Sequence, residues 1–186
     1  MHRSLFILLL PFLLALAAAT SVRAERIGLS NLVVDNHAGR AQVRFGVSFR
    51  QADPIREALE NGQVLALGCK ARLYLKRDYA WDALAGEAEL LSTLVLHDKG
   101  PFEITMPGRS RERYRGRDLE LVMKEAWGGI SMDLGSWAAL ERGRSYSLEL
   151  EIRLLRQDLP AWLKGALFFW NFDSMEPATY RLDFSY

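Results

Sequence analysis

The chain has 186 residues, 49% hydrophobic and 11% aromatic, with 24 basic and 23 acidic side chains and one cysteine. That composition excludes an intrinsically disordered chain, and a net charge of +1 excludes a general nucleic-acid binder. Cys69 has no second cysteine in the chain, so no intrachain disulfide forms.

The N-terminus has the organisation of an export signal. His2 and Arg3 form a short positive region, and Leu5 to Ala19 is an uncharged run of leucine and alanine interrupted by Pro11. Crossing a bilayer as a helix takes about 20 apolar residues, so the run suits the apolar region of a signal peptide better than a membrane span. Val22 and Ala24 place small apolar residues before a cut after Ala24, with Arg23 an unusual neighbour to it. Glu25 follows rather than a cysteine, which argues against a lipoprotein. We expect residues 1–24 to be a cleaved signal peptide and the protein to be exported to the periplasm. The alternative is an uncleaved signal holding it to the inner membrane. Removing 24 residues from 186 leaves 162, enough for one domain with its own core, expected over 25–186.

Asn31 to Asp35 reads as a strand, and Asn36-His37-Ala38-Gly39 as a hairpin turn into the next one. From Arg40 to Arg50, Ala41, Val43, Phe45, Val47 and Phe49 share one face, and Gln42, Arg44 and Ser48 the other, the period of a half-buried strand. Asp53-Pro54 predicts a helix start, with Asp53 capping, and Asn61-Gly62 its end. Val64 to Arg77 alternates again, with Leu65, Leu67, Cys69, Ala71, Leu73 and Leu75 inward and Lys70, Arg72 and Lys76 outward. Cys69 therefore reads as a small buried hydrophobe rather than a reactive thiol. Trp81 to His97 fits one long strand, and Phe102, Ile104 and Met106 another after the turn Lys99-Gly100-Pro101. Asp118 to Glu125 predicts a short helix ended by Gly128-Gly129. Tyr146, Leu148, Leu150, Ile152 and Leu154 mark a strand whose other face is Ser147, Glu149, Glu151 and Arg153. Tyr180, Leu182, Phe184 and Tyr186 mark the last. About eight strands with antiparallel-style alternation predict a mainly β fold, an antiparallel β-sandwich of immunoglobulin-like architecture with one or two short helices.

Several of these segments occur in an order that resembles a known family. Glu60-Asn61-Gly62 precedes the strand from Val64, and Trp81-Asp82 follows it. Then come Tyr146 to Leu154, Asp158-Leu159-Pro160 with Leu163, Phe169-Trp170 and the terminal strand. The order is similar to that of the exported bacterial proteins grouped as domain-of-unknown-function family 4390, over most of the chain after the signal. Pro107 to Arg117 carries least of the pattern. The resemblance implies no established activity and supplies no catalytic residues. It implies a periplasmic accessory role beside membrane sensor kinases of the two-component type.

Residues fit for catalysis are sparse. After the signal only His37 and His97 remain as histidines, far apart, so the sequence offers no metal-ligand cluster and calls for no cofactor. His97 with Asp98 has the makings of a base, although a strand end on the surface is much the readier account of the pair. Gly129-Ile130-Ser131-Met132-Asp133 lacks the second glycine of a nucleophile elbow. Glu87 and Glu89 are the nearest carboxylate pair on one strand face, a pairing that chance produces readily among 23 acids.

Two features remain as candidate binding surfaces. Arg109, Arg111, Arg113, Arg115 and Arg117 fall at every second position. In an extended segment they project to one side, with guanidinium forks suited to phosphate and carboxylate. The plainer account is a solvated strand or loop, partly neutralised by Glu112, Asp118 and Glu120. The second feature is Leu159 to Phe172, where Trp162, Leu163, Leu167, Phe168, Phe169, Trp170 and Phe172 crowd together. Such a run either packs in a core or, if exposed, enters a membrane interface or a partner's groove; Trp162, Phe169 and Trp170 are its contact candidates.

The sequence thus points to a non-catalytic interaction module at the cell envelope, with a membrane or envelope protein as partner and an accessory role to a membrane sensor. The first alternative is a binder of anionic lipid or glycan through the arginine row or the aromatic segment. The second is a hydrolase using carboxylates or His97.

Overall fold

A computed structural model describes residues 27–78, 80–98, 100–108, 112–157 and 176–186. The predicted signal peptide and the aromatic run Leu159 to Phe172 lie outside the described residues. Two antiparallel sheets pack on a shared apolar core, the mainly β architecture that the alternation predicts. The small sheet has the order β1 (Ile27–His37), β2 (Arg40–Phe49), β7 (Ile130–Ser136). The large sheet has the order β6 (Arg113–Gly116), β5 (Phe102–Thr105), β4 (Ala83–Leu96), β3 (Leu65–Leu75), β8 (Ser145–Arg156), β9 (Ala178–Ser185). Among the described residues two short helices, α1 (Asp53–Glu60) and α2 (Leu119–Trp127), and a 3-10 turn at Trp137–Ala139 accompany the sheets.

Side-chain alternation explains the layers. On β2, Ala41, Val43, Phe45 and Val47 are buried, and on β3 so are Leu65, Leu67, Cys69, Ala71 and Leu73. On β8 the inward set is Tyr146, Leu148, Leu150, Ile152 and Leu154. β3 is central in the large sheet: Lys70 lies opposite Glu89 on one side and Glu151 on the other. The β1–β2 hairpin closes through Ala38 (φ 50°) and Gly39 (φ 79°), the two positive dihedrals that a two-residue hairpin turn favours. The Asn36 side-chain oxygen accepts from the Gly39 amide at 2.9 Å.

Three local expectations need correction. Asp53 is not the cap of α1: Ala52 occupies that position, and no side chain caps it. The helix begins one residue earlier than the Asp-Pro pair suggested, so Asp53 lies in the first turn, where a carboxylate still favours the positive end of the helix dipole. The long strand β4 begins only at Ala83, leaving Trp81 outside it and 95% exposed. β7 was not anticipated, although Ile130, Met132 and Leu134 alternate as buried residues along it.

α2 backs the β5–β6 end of the large sheet. Its cap is Asp118, whose carboxylate accepts from the amides of Glu120 (3.0 Å) and Leu121 (3.2 Å). It buries Leu119, Val122, Met123, Ala126 and Trp127, packing on β2, β5 and β6. β6 thus has a helix beneath it and its other face in solvent.

Candidate functional site

The arginine row falls on the edge of the large sheet. Arg113 and Arg115 are exposed on β6, Arg117 is exposed just after it, and Tyr114 between them turns inward against the core. Arg109 and Arg111 lie outside the described residues, as do Trp162, Phe169 and Trp170. Arg113 and Arg115 thus share one face of β6, with Tyr114 on the other.

Its surroundings are unevenly neutralised. Arg115 pairs with Glu103 at 3.0 Å across the β5–β6 rung, and His97 Nε2 approaches the same carboxylate at 3.5 Å. Glu103 is only 14% exposed on its side chain and has both the Arg115 guanidinium and the His97 ring beside it. Arg113 faces Thr105 on β5. Neither Arg113 nor Arg117 has an ion-pair partner among the described residues. The Glu112 carboxylate instead accepts from the Tyr114 hydroxyl at 3.0 Å, a bond that raises the tyrosine's pKa.

The rest of the outer face is a set of closed ion pairs. Lys70 holds Glu87 at 2.6 Å and Glu89 at 2.5 Å, and Arg72 reaches Glu87 at 3.4 Å. Hydrogen bonds that Lys70 donates to Glu87 and Glu89 raise its pKa, and Lys70 in turn holds Glu87 below the usual carboxylate value. Arg153 pairs with Glu151. Next to these charges a groove of about 450 Å³ opens over Ala66 and Gly68, walled by Leu91 and Leu155, with Lys70 and Arg153 at its charged end. Sequence reading overlooked it. Its available signal was Gly68 and Ala66 occupying the outward positions in line with Lys70 and Arg72.

The carboxylate pair considered for hydrolysis is tied up in these bridges: Glu87 and Glu89 both bind Lys70. A general acid needs a raised pKa, whereas that of Glu87 is lowered. His97 stands eight positions along from Glu89, about 26 Å at the rise of an extended strand, and its carboxylate neighbour is Glu103 instead. Among the described residues no three His, Cys, Asp or Glu side chains gather as a metal site, and no helix is long and apolar enough to cross a membrane.

The family model described as Domain of unknown function (DUF4390) matches residues 24–183. The chain belongs to this family. No curated protein and no solved structure matches it. The match runs through the groove and the arginine edge alike, including the Pro107 to Arg117 stretch in which the family pattern was least legible.

Proposed function

We propose that this family member is an exported, periplasmic interaction module without catalytic activity of its own, accessory to a protein of the membrane or envelope. One observation carries the reading. The outer face of the large sheet neutralises much of its own charge in ion pairs across and along its strands, while Arg113 and Arg117 at its β6 end stand exposed without a carboxylate partner among the described residues. An exposed row of one sign on a helix-backed strand is suited to recognition. The signal-like N-terminus supports export.

The test is crosslinking in intact cells, purification of the tagged protein and mass spectrometry. Reproducible recovery of one membrane or envelope protein is expected. Recovery of anionic lipid or glycan with no protein would overturn the reading in favour of a second one, a binder of anionic lipid or glycan. The exposed guanidinium groups of Arg113 and Arg117 favour that alternative, since guanidinium also recognises phosphate and carboxylate.

A further inference from the structure

The backbone of β6 offers more than a row of charges. Its register with β5 runs Phe102↔Gly116, Glu103↔Arg115, Ile104↔Tyr114 and Thr105↔Arg113, and the next rung closes with the Met106 amide donating to the Glu112 carbonyl at 2.9 Å. In an antiparallel ladder, hydrogen-bonded and non-hydrogen-bonded rungs alternate. Met106 and Glu112 form a hydrogen-bonded rung, so Thr105↔Arg113 and Glu103↔Arg115 are non-hydrogen-bonded ones. The amide and carbonyl of Arg113 and of Arg115 therefore point away from β5, to the side where no strand pairs among the described residues. The two residues that expose backbone donors and acceptors along the edge also carry the exposed guanidinium groups.

The rungs within the sheet indicate what complements such an edge. On the outer face four bases sit opposite acids: Lys70 between Glu89 and Glu151, Arg72 between Glu87 and Glu149, Arg181 opposite Glu149, Arg115 opposite Glu103. At β6 the series ends on arginines. The other edges differ. β1 is broken by a bulge between Ser30 and Val33 with Asn31 at φ 54°, and the β2–β7 pairing is irregular beside Gly135. On β9, Arg181 and Asp183 pair with each other at 3.4 Å, leaving no row of one sign. A second copy of β6 is a poor occupant, because antiparallel self-pairing opposes arginine to arginine.

We infer that the β6 edge, which no described strand pairs, docks an extended acidic segment of a partner protein, which joins the large sheet as an added strand with carboxylates at alternate positions opposite Arg113 and Arg115. Main-chain hydrogen bonds supply the strand pairing and the arginines select the charge. The inference rests on the interaction-module reading and gives that module a surface and a partner chemistry.

The probe is a short end-blocked peptide with glutamate at every second position and valine or threonine between, titrated into the full chain after the signal. Its controls are the same peptide N-methylated on alternate backbone amides, and vesicles containing phosphatidylglycerol. Binding of the unmodified peptide should slow amide hydrogen exchange at Arg113 and Arg115, and N-methylation should abolish it. Arg113→Glu, which breaks no ion pair among the described residues, should weaken binding about tenfold, as expected when a favourable cross-strand pair becomes a repulsive one. Arg113→Pro, which removes an outward amide without touching the β5 ladder, should weaken it more than Arg113→Ala. Arg142→Ala, the same loss of charge on an exposed turn, should leave it unchanged. No peptide binding, equal binding of the N-methylated peptide, or binding to the vesicles alone overturns the inference. Capture of a partner in cells that survives Arg113→Glu would reject the β6 edge and spare the module. Peptide binding with no partner captured in cells would do the reverse.

Discussion

The indole nitrogen of Trp127 donates to the Ser92 hydroxyl at 2.9 Å, and that hydroxyl donates onward to the Thr105 carbonyl at 3.2 Å. Both side chains are fully buried, so this short chain ties α2 to β4 and β5 beneath the arginine edge. Ser92→Ala would leave the indole N–H buried without its acceptor. A buried unsatisfied donor costs roughly 1–3 kcal/mol. Urea unfolding should give a midpoint lowered accordingly, with an unchanged slope. An unchanged midpoint would mean that another acceptor takes the indole proton.

Gly86 marks a second tight contact. A Cβ there would press into the carbonyl oxygen of Leu134, where β4 and β7 from opposite sheets approach each other, while at Gly129 a Cβ meets nothing within 4 Å. Backbone cannot move aside as a flexible side chain can. Gly86→Ala should therefore destabilise by about 1–3 kcal/mol, the usual penalty of overpacking, and Gly129→Ala by much less. Thermal unfolding of the two variants side by side tests the difference.

Much of this architecture was legible because β2, β3, β8 and β9 carry long runs of alternating side chains, and burial against a common core enforces their register. β7 escaped notice because its three inward residues, Ile130, Met132 and Leu134, give only a short alternation between Gly129 and Gly135. β6 was recognisable only as a conditional row of arginines: four residues with a single inward tyrosine give little periodicity. The groove over Gly68 was hidden for a different reason. It depends on Leu91 and Leu155 from two other strands flanking the gap, and sequence order does not reveal which strands are neighbours.

The carboxylates predict an acid limb in the stability curve. Hydrogen bonding from Ser147 and the ion pair with Lys76 hold Asp183 at about 2, against an ordinary 3.8. Asp133 is lowered by Arg40 and the Gly135 amide, and Glu87 by Lys70. A pKa depressed in the folded state stabilises fully above the unfolded value, and that contribution is lost as pH falls through the folded value. The melting temperature should hold above about pH 5 and decline between pH 4 and 2. Asp183→Asn should make the decline shallower. If its curve instead runs parallel to that of the parent protein, Asp183 is not a source of the acid limb.

Cys69 gives the last prediction. It lies at the centre of β3, 3% exposed, and burial pushes its thiol up to about 12. The thiolate is the reactive form, so at neutral pH the folded protein presents almost none of it, and its position shields the sulfur from reagents as well. A disulfide reagent should label the native chain only as fast as the molecule opens, and labelling should accelerate with urea in step with unfolding. Since β3 is hydrogen-bonded on both sides by β4 and β8, the opening that exposes Cys69 should approach global unfolding. Rapid labelling without urea would place the opening in a smaller fluctuation of the large sheet, and would make the middle of that sheet less stable than its two neighbouring ladders imply.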